Sequence, residues 1–339
     1  MAAGDWLPAQ LQSVAMRLAR ADAAAEELSR VALSWSRGTE DQGAITLRQV
    51  ERTPGIYDVE VASIRPVPPV AGMLFSEAVH HMRSAVDNVG FYVAEQEHGQ
   101  PLGPQQERAV SMLVYDEASP YERKWKGLVR QGLAMFDPRA TLGKRVESLQ
   151  PFNDPTSIGS LSPILAYVMG VEAAQAQPLA LLRDYSNADK HRALRATAGH
   201  TLVQRYDDWQ RSVSQGMRQM EVGTVLEQVT KGVLTPVEVS PALLVHRPDG
   251  TPVAPGPELD GMARHVADIV IPTLLRGIAL PDGIPAHIDL TDNGETFAER
   301  LAKGSTVRAH VRARPVMEAA LIEAEEQHWR FPAIADDEE

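Results

Sequence analysis

Two stretches of this chain place charged and amide side chains inside runs that otherwise read as half-buried helices. Nothing else in the sequence constrains the fold as tightly. The stretches are His80-His81-Met82-Arg83-Ser84-Ala85-Val86-Asp87-Asn88 and Asn187-Ala188-Asp189-Lys190-His191-Arg192. A polar group moved out of water without a partner costs roughly 2–7 kcal/mol. The pattern therefore predicts a helical bundle in which the two helices face each other and satisfy one another's polar groups.

The rest of the chain supports a mainly α reading. Over residues 8–36, Leu11, Val14, Leu18, Ala21, Ala25 and Leu28 recur at alternating three- and four-residue steps, the stripe of an amphipathic helix. A second long helix is predicted from about Gly72 to His98, with Phe75, Val79, Met82, Val86, Val89 and Val93 as its apolar stripe and Gly99 and Pro101 ending it. Between them, 44–50 and 56–64 read as a hairpin around Thr53-Pro54-Gly55. Ile64 is out of phase, so the second strand is expected to end or bulge before it. Further helices are expected at 121–135, 139–149, 160–175 and 178–198. From about 200 the β-branched runs predict a small β region, with Arg247-Pro248-Asp249-Gly250 as a hairpin turn. A helix at 257–278 follows, with Leu259, Met262, Val266 and Ile269 on one face. Strand 286–290, helix 294–303, strand 305–313 and helix 315–328 complete the reading before the acidic end Asp336-Asp337-Glu338-Glu339. The predicted organisation is a bundle over 1–200 with the hairpin inserted, a β subdomain plus closing helix over 201–280, and an α/β extension over 281–339.

Composition narrows the function classes. There is no cysteine, so there is no disulfide, thiolate metal site or Cys nucleophile. The formal net charge of −12 disfavours a nucleic-acid coat, although a local basic cleft remains compatible with it. Neither a secretory leader nor an apolar run of membrane-spanning length is visible, and the expected location is the cytoplasm, off the membrane. No Gly-x-Ser-x-Gly elbow and no phosphate-binding glycine loop followed by Lys-Ser or Lys-Thr occurs. The residues point to neither a cofactor nor a metal centre.

The two runs themselves carry the candidate chemistry. On a helix, Arg183, Asn187 and His191 lie four apart on one face with Lys190 beside them, while Asp189 and Arg192 sit on the flank and can pair. Such a face suits an anion, and imidazole can move a proton near neutral pH. It equally suits a buried polar clamp. His80, Arg83 or Ser84, and Asp87 share a face of the other helix, with His81 and Asn88 slightly rotated from it. A third candidate is the alternation Arg308, His310, Arg312, Arg314. As a strand it would present a basic stripe or a charged edge.

The order of motifs resembles a group of uncharacterised bacterial proteins, of a kind common in actinobacteria. The matching features are His-x-x-Arg-Ser-Ala-x-Asp at 80–87, Leu-Gln-Pro-Phe at 149–152 and Leu-x-x-x-x-Asn-x-Asp-Lys-His-Arg at 182–192, and the likeness spans roughly residues 8–280. More distantly, polar residues on facing helices are similar to HEPN domains, many of which are metal-independent ribonucleases of toxin and phage-defence systems. Their Arg-then-His spacing is departed from here. Arg83 is followed by Asn88, and Arg183 precedes His191 by a gap of seven. The HEPN resemblance implies an RNA substrate, action as a homodimer, His191 as general acid or base, Arg83, Lys190 and Arg192 stabilising the phosphorane, and Asn187 orienting substrate. The alternative expectation is a non-catalytic scaffold that binds a partner protein or a small anion, with Asn187, Asp189, His80, Asp87 and Asn88 holding the fold.

Overall fold

The computed structural model describes residues 8–37, 43–163, 166–167, 170–191, 194, 196–205, 217–233, 237–275, 284–316 and 319. The fold is mainly α. Helix α1 (Gln12–Arg37) packs along α2 (Pro69–His98). All six residues of the expected α2 stripe are buried, as are Leu11, Val14, Leu18, Ala21 and Leu28 on the α1 side. The pair is pinned at its edge by Arg20, which donates Nε and Nη2 to Glu77 at 2.6 and 3.0 Å. The α2 helix starts at Pro69, whose missing N–H is no loss at a first-turn position, and stops at Gly99 in the left-handed conformation.

Strands β1 (Ile45–Thr53) and β2 (Ile56–Ile64) form the hairpin, with Gly55 at positive φ in its turn. Their register slips where Thr46 pairs with Ser63 but Leu47 pairs with Val61, which is the bulge that the phase of Ile64 implied. Next come α3 (Pro104–Ala109), α4 (Ala118–Arg130) and α5 (Thr141–Ser148). The short strands β3 (Ile158–Gly159) and β4 (Gln175–Ala176) then pair with each other, so the end of the helix expected at 160–175 is a strand. Residues 164–165 and 168–169 of that expectation lie outside the described residues.

Helix α6 (Pro178–His191) is shorter than the predicted 178–198. By Thr197 the chain has become strand β5 (Thr197–Arg205), which pairs antiparallel with β8 (Val237–His246). The strands β6 (Arg218–Gln219) and β9 (Pro252–Val253) flank that pair. Strand β7 (Val225–Thr230) instead joins the edge of β2, so the hairpin and the β region share a sheet. Val61, Val203, Met220 and Leu226 form a small core between the two sheets. Arg247 to Gly250 is the turn into β9, with Gly250 at φ 89°.

Helix α7 (Pro255–His265) runs through one π-helical turn (Val266–Val270) into α8 (Ile271–Leu274). Pro272 cannot donate to the helical ladder, and the wide turn precedes it. The extra residue rotates the following face. Leu259, Met262 and Val266 are buried as expected, but Val270 takes the inward position and Ile269 is turned out.

Beyond residue 284, Ile284, Ile288 and Leu301 of the C-terminal part join the main core. Residues 286–290 contribute one bridge, His287 to Ser305, in place of the predicted strand, and α9 (Phe297–Lys303) follows. The strand expected at 305–313 is not one, since residues 309–316 form helix α10. The buried pair there is Ala309 and Ala313, four apart, whereas Val307 and Val311 of the presumed inner face are 43% and 41% exposed. Asp22 of α1 accepts the Ala309 N–H at 2.8 Å, and Arg312 donates to Asp22 and Glu26. Burial works against the charge on Arg312, but those two carboxylates outweigh it and raise its pKa. The basic residues are therefore divided among separate partners on α1 and the π turn, with Arg308 on Asp268.

Candidate functional site

The segment Val110 to Tyr115 is buried yet has no regular secondary structure. Its backbone N–H and C=O groups lack a helix or sheet ladder and must find partners elsewhere. Side chains of α2, of α6 and of the residue after the α5 cap supply them. From α2, Asp87 accepts the Met112 N–H at 2.9 Å, while Arg83 donates to the Met112 carbonyl at 2.9 Å and to Asp87 at 3.1 Å. Gln150, fully buried just after α5, accepts from Tyr115 N–H at 3.0 Å. It also donates to the carbonyls of Leu113 and Val146, both at 2.8 Å. From α6, Arg183 donates to the Val114 carbonyl at 3.2 Å and to Asp116 and Asp184. The neighbouring Asp184 and Asp116 carboxylates hold its pKa high despite partial burial.

The two helices do meet, but among the described residues the 80–88 and 187–192 runs do not satisfy one another's polar groups. Phe75 and Tyr185 touch edge-on with ring centres 5.0 Å apart, and Ser76 donates to Asp189. Gly72 lets the chain pass, since a Cβ there would fall 2.5 Å from the Leu194 carbonyl oxygen. The contacts pair low α2 numbers with high α6 numbers, so the helices run antiparallel. Asp189 thus lies beside Ser76, seven residues and roughly 10 Å of helix axis from Arg83 at about 1.5 Å per residue. His191 closes α6 on the Asp189 side. Its side chain, and Arg192 altogether, lie outside the described residues.

The remaining candidates are spread out. Asn187 and Lys190 are exposed and, among the described residues, make no hydrogen bond or ion pair. His80 is exposed, and its ring meets His81 edge-on at 5.7 Å. His81, near Glu77, has its pKa lowered chiefly by burial. Asn88 turns toward α1. With its amide set by the surrounding donors, its oxygen accepts from Arg17 Nε at 3.2 Å.

A cleft of about 1260 Å³ lies between α1, β3, β8, α7, the π turn and α10. Two carboxylate–imidazole pairs border it. Asp154 lies 3.3 Å from His265 Nε2, and Asp260 meets both His310 and Arg264. Asp154 accepts from Thr156 N–H, Thr156 Oγ1 and Gln177, which fixes its orientation. Burial lowers the pKa of His265, with the nearby Asp154 opposing. Under the cleft wall, Arg247 and Glu258 form a fully buried bidentate pair at 2.8 Å. Arg247 also donates to the carbonyls of Ala174 and Ile158, and Tyr185 donates to Glu258. That network ties the β3–β4 hairpin to α7. Gly261 allows the approach, because a Cβ there would meet the Ile158 side chain at 2.7 Å.

No family model, curated protein or solved structure matches this chain. Among the described residues no group of three or more His, Cys, Asp or Glu side chains could hold a metal ion, and no helix is long and apolar enough to cross a membrane. The motif residues Arg83 and Asp87 come together on the 112–115 segment. Asp189, Asn187, Lys190, His80 and Asn88 each face elsewhere.

Sequence reading missed Asp154, Asp260 and His265. Asp260 and Arg264 are four apart on a helix, which was a readable signal of a pair. The approach of Asp154 to His265 spans more than a hundred residues and has no local signature.

Proposed function

We propose that this chain is a non-catalytic helical binding protein, in which the motif residues hold the framework and the cleft takes the ligand. One observation carries the reading. Arg83, Asp87, Gln150 and Arg183 direct their polar atoms onto the backbone of residues 112–115. Groups engaged in this way act as a structural clamp, and the cleft supplies a concave, mostly apolar surface with a few polar groups, as ligand sites do.

The test is a paired measurement on Asp87→Ala and Arg83→Ala. A clamp predicts a clear fall in stability to urea, whereas a site kept for chemistry predicts little change or a gain. Unaltered stability in both variants would end the clamp reading.

A HEPN-like metal-independent ribonuclease, acting as a homodimer in the cytoplasm, is the second reading. It is favoured by the exposed Asn187 and Lys190 beside the end of α6. Incubation of the pure protein with RNA, with and without His191→Ala, decides it. Absence of cleavage, or equal cleavage by the variant, removes it.

A further inference from the structure

We infer that the cleft takes an uncharged, largely apolar small molecule bearing one hydroxyl, carbonyl or aromatic amine group. This rests on the binding reading above and names the chemistry of its ligand. The walls are apolar, from Leu33 of α1, Ile158 of β3, Leu161, Leu243 of β8, and Ile269, which the π turn rotates outward. The volume of about 1260 Å³ exceeds the roughly 300–1,000 Å³ of most small-molecule sites, which leaves room for a polycyclic or long aliphatic body.

The charged side chains that line the cleft offset one another. Asp260 is met by Arg264 and His310, and Asp268 by Arg308. Glu172 and Arg314, both exposed lining residues, contribute one charge of each sign. An anionic ligand would find no surplus of positive charge among these groups, Asp154 behind His265 adds a negative one, and any ion would lose hydration against apolar walls.

His265 is the polar anchor. It lines the cleft and is 2% exposed; Nδ1 has no hydrogen-bond partner among the described residues, and Nε2 faces Asp154 at 3.3 Å without hydrogen-bond geometry. Asp154, the carboxylate nearest to it, is already engaged by Thr156 and Gln177. A neutral imidazole offers one donor and one acceptor, and a buried polar group without a partner marks a place that a ligand or water fills.

Two fluorescent probes of nearly the same body test this on the full chain: uncharged N-phenylnaphthylamine and anionic anilinonaphthalenesulfonate. The expected result is saturable binding of the neutral dye, about tenfold or more tighter than the sulfonate, a difference of roughly 1.4 kcal/mol. Leu33→Trp, which narrows the cleft at a half-buried wall position, is expected to weaken binding. His265→Leu is expected to weaken the neutral dye by about threefold to tenfold, the usual worth of one hydrogen bond. If the sulfonate binds as tightly as the neutral dye, the inference about charge falls while the site stands. Failure of both dyes to bind overturns the binding reading itself. Unchanged affinity in Leu33→Trp places the dye elsewhere and overturns both.

Discussion

Replacing Gln150 by Met is the sharpest test of how the buried 110–115 segment is held. The two side chains are of similar length, so the change preserves volume and removes only polarity. In the native fold Gln150 is inaccessible to solvent and joins Tyr115 N–H, the Leu113 carbonyl and the Val146 carbonyl. With Met in place, Tyr115 N–H and the Leu113 carbonyl lose that partner in a water-free setting. At roughly 1–3 kcal/mol for each orphaned buried group, the loss is about 2–6 kcal/mol. Whole-domain stabilities are about 5–15 kcal/mol, so the variant is expected to unfold at distinctly lower urea. Equilibrium urea unfolding followed by far-UV circular dichroism measures the shift. An unchanged m value shows that the native and denatured states keep their compactness. Hydrogen exchange over residues 110–116 adds a local readout: the Tyr115 amide is expected to be protected in the native protein and to exchange faster in the variant. A loss below about 1 kcal/mol with undisturbed protection at Tyr115 would refute the reasoning.

Other perturbations have equally definite expectations. Arg247→Leu strands the buried Glu258 carboxylate and is expected to cost about 3–5 kcal/mol in urea unfolding. The double change Arg247→Leu with Glu258→Leu is expected to recover much of that loss, and failure to recover any would point to the carbonyl bonds of Arg247 instead. Asp22→Ala removes the acceptor for Ala309 N–H and a partner of Arg312, so limited proteolysis is expected to cut around residues 306–312 sooner, and an unchanged cleavage pattern would count against it. Burial, with Arg218 adding to it, lowers the pKa of His200 to about 4, and burial also lowers that of His265. Below the unfolded value of about 6.5 the denatured chain takes up protons that the native one refuses. Stability is therefore expected to fall as pH drops from about 6.5 toward 4, by up to about 1.4 kcal/mol per pH unit for each such histidine. Melting temperatures that stay flat between pH 7 and 5 would contradict this.

Periodicity made the long helices legible. Every residue of the α2 stripe is buried because one helix face alone meets the core, and the bulge before Ile64 followed from a single residue out of phase. Where two periods fitted, the reading went wrong. Residues 307–313 alternate like a strand, yet they also place Ala309 and Ala313, and Arg308 and Arg312, four apart. The acidic face of α1 selected the helix by offering Asp22 and Glu26 to Arg312. Ile269 failed for another reason, since one extra residue in a π turn shifts every later position around the axis. Residues 110–115 were invisible as structure because their hydrogen bonds come from side chains far along the chain. That Arg83, Asp87 and Asp189 meet internal partners was legible, but that the chief partner would be a length of backbone was not.

That length of backbone has a consequence for the order in which the molecule assembles. Its acceptors and donors come from 25 residues upstream at Asp87, from 35 residues downstream at Gln150 and from 69 residues downstream at Arg183. No local nucleus can order it. It behaves as a keystone, set only when three already-formed rods have closed around it, and after that no rod can swing away without releasing it.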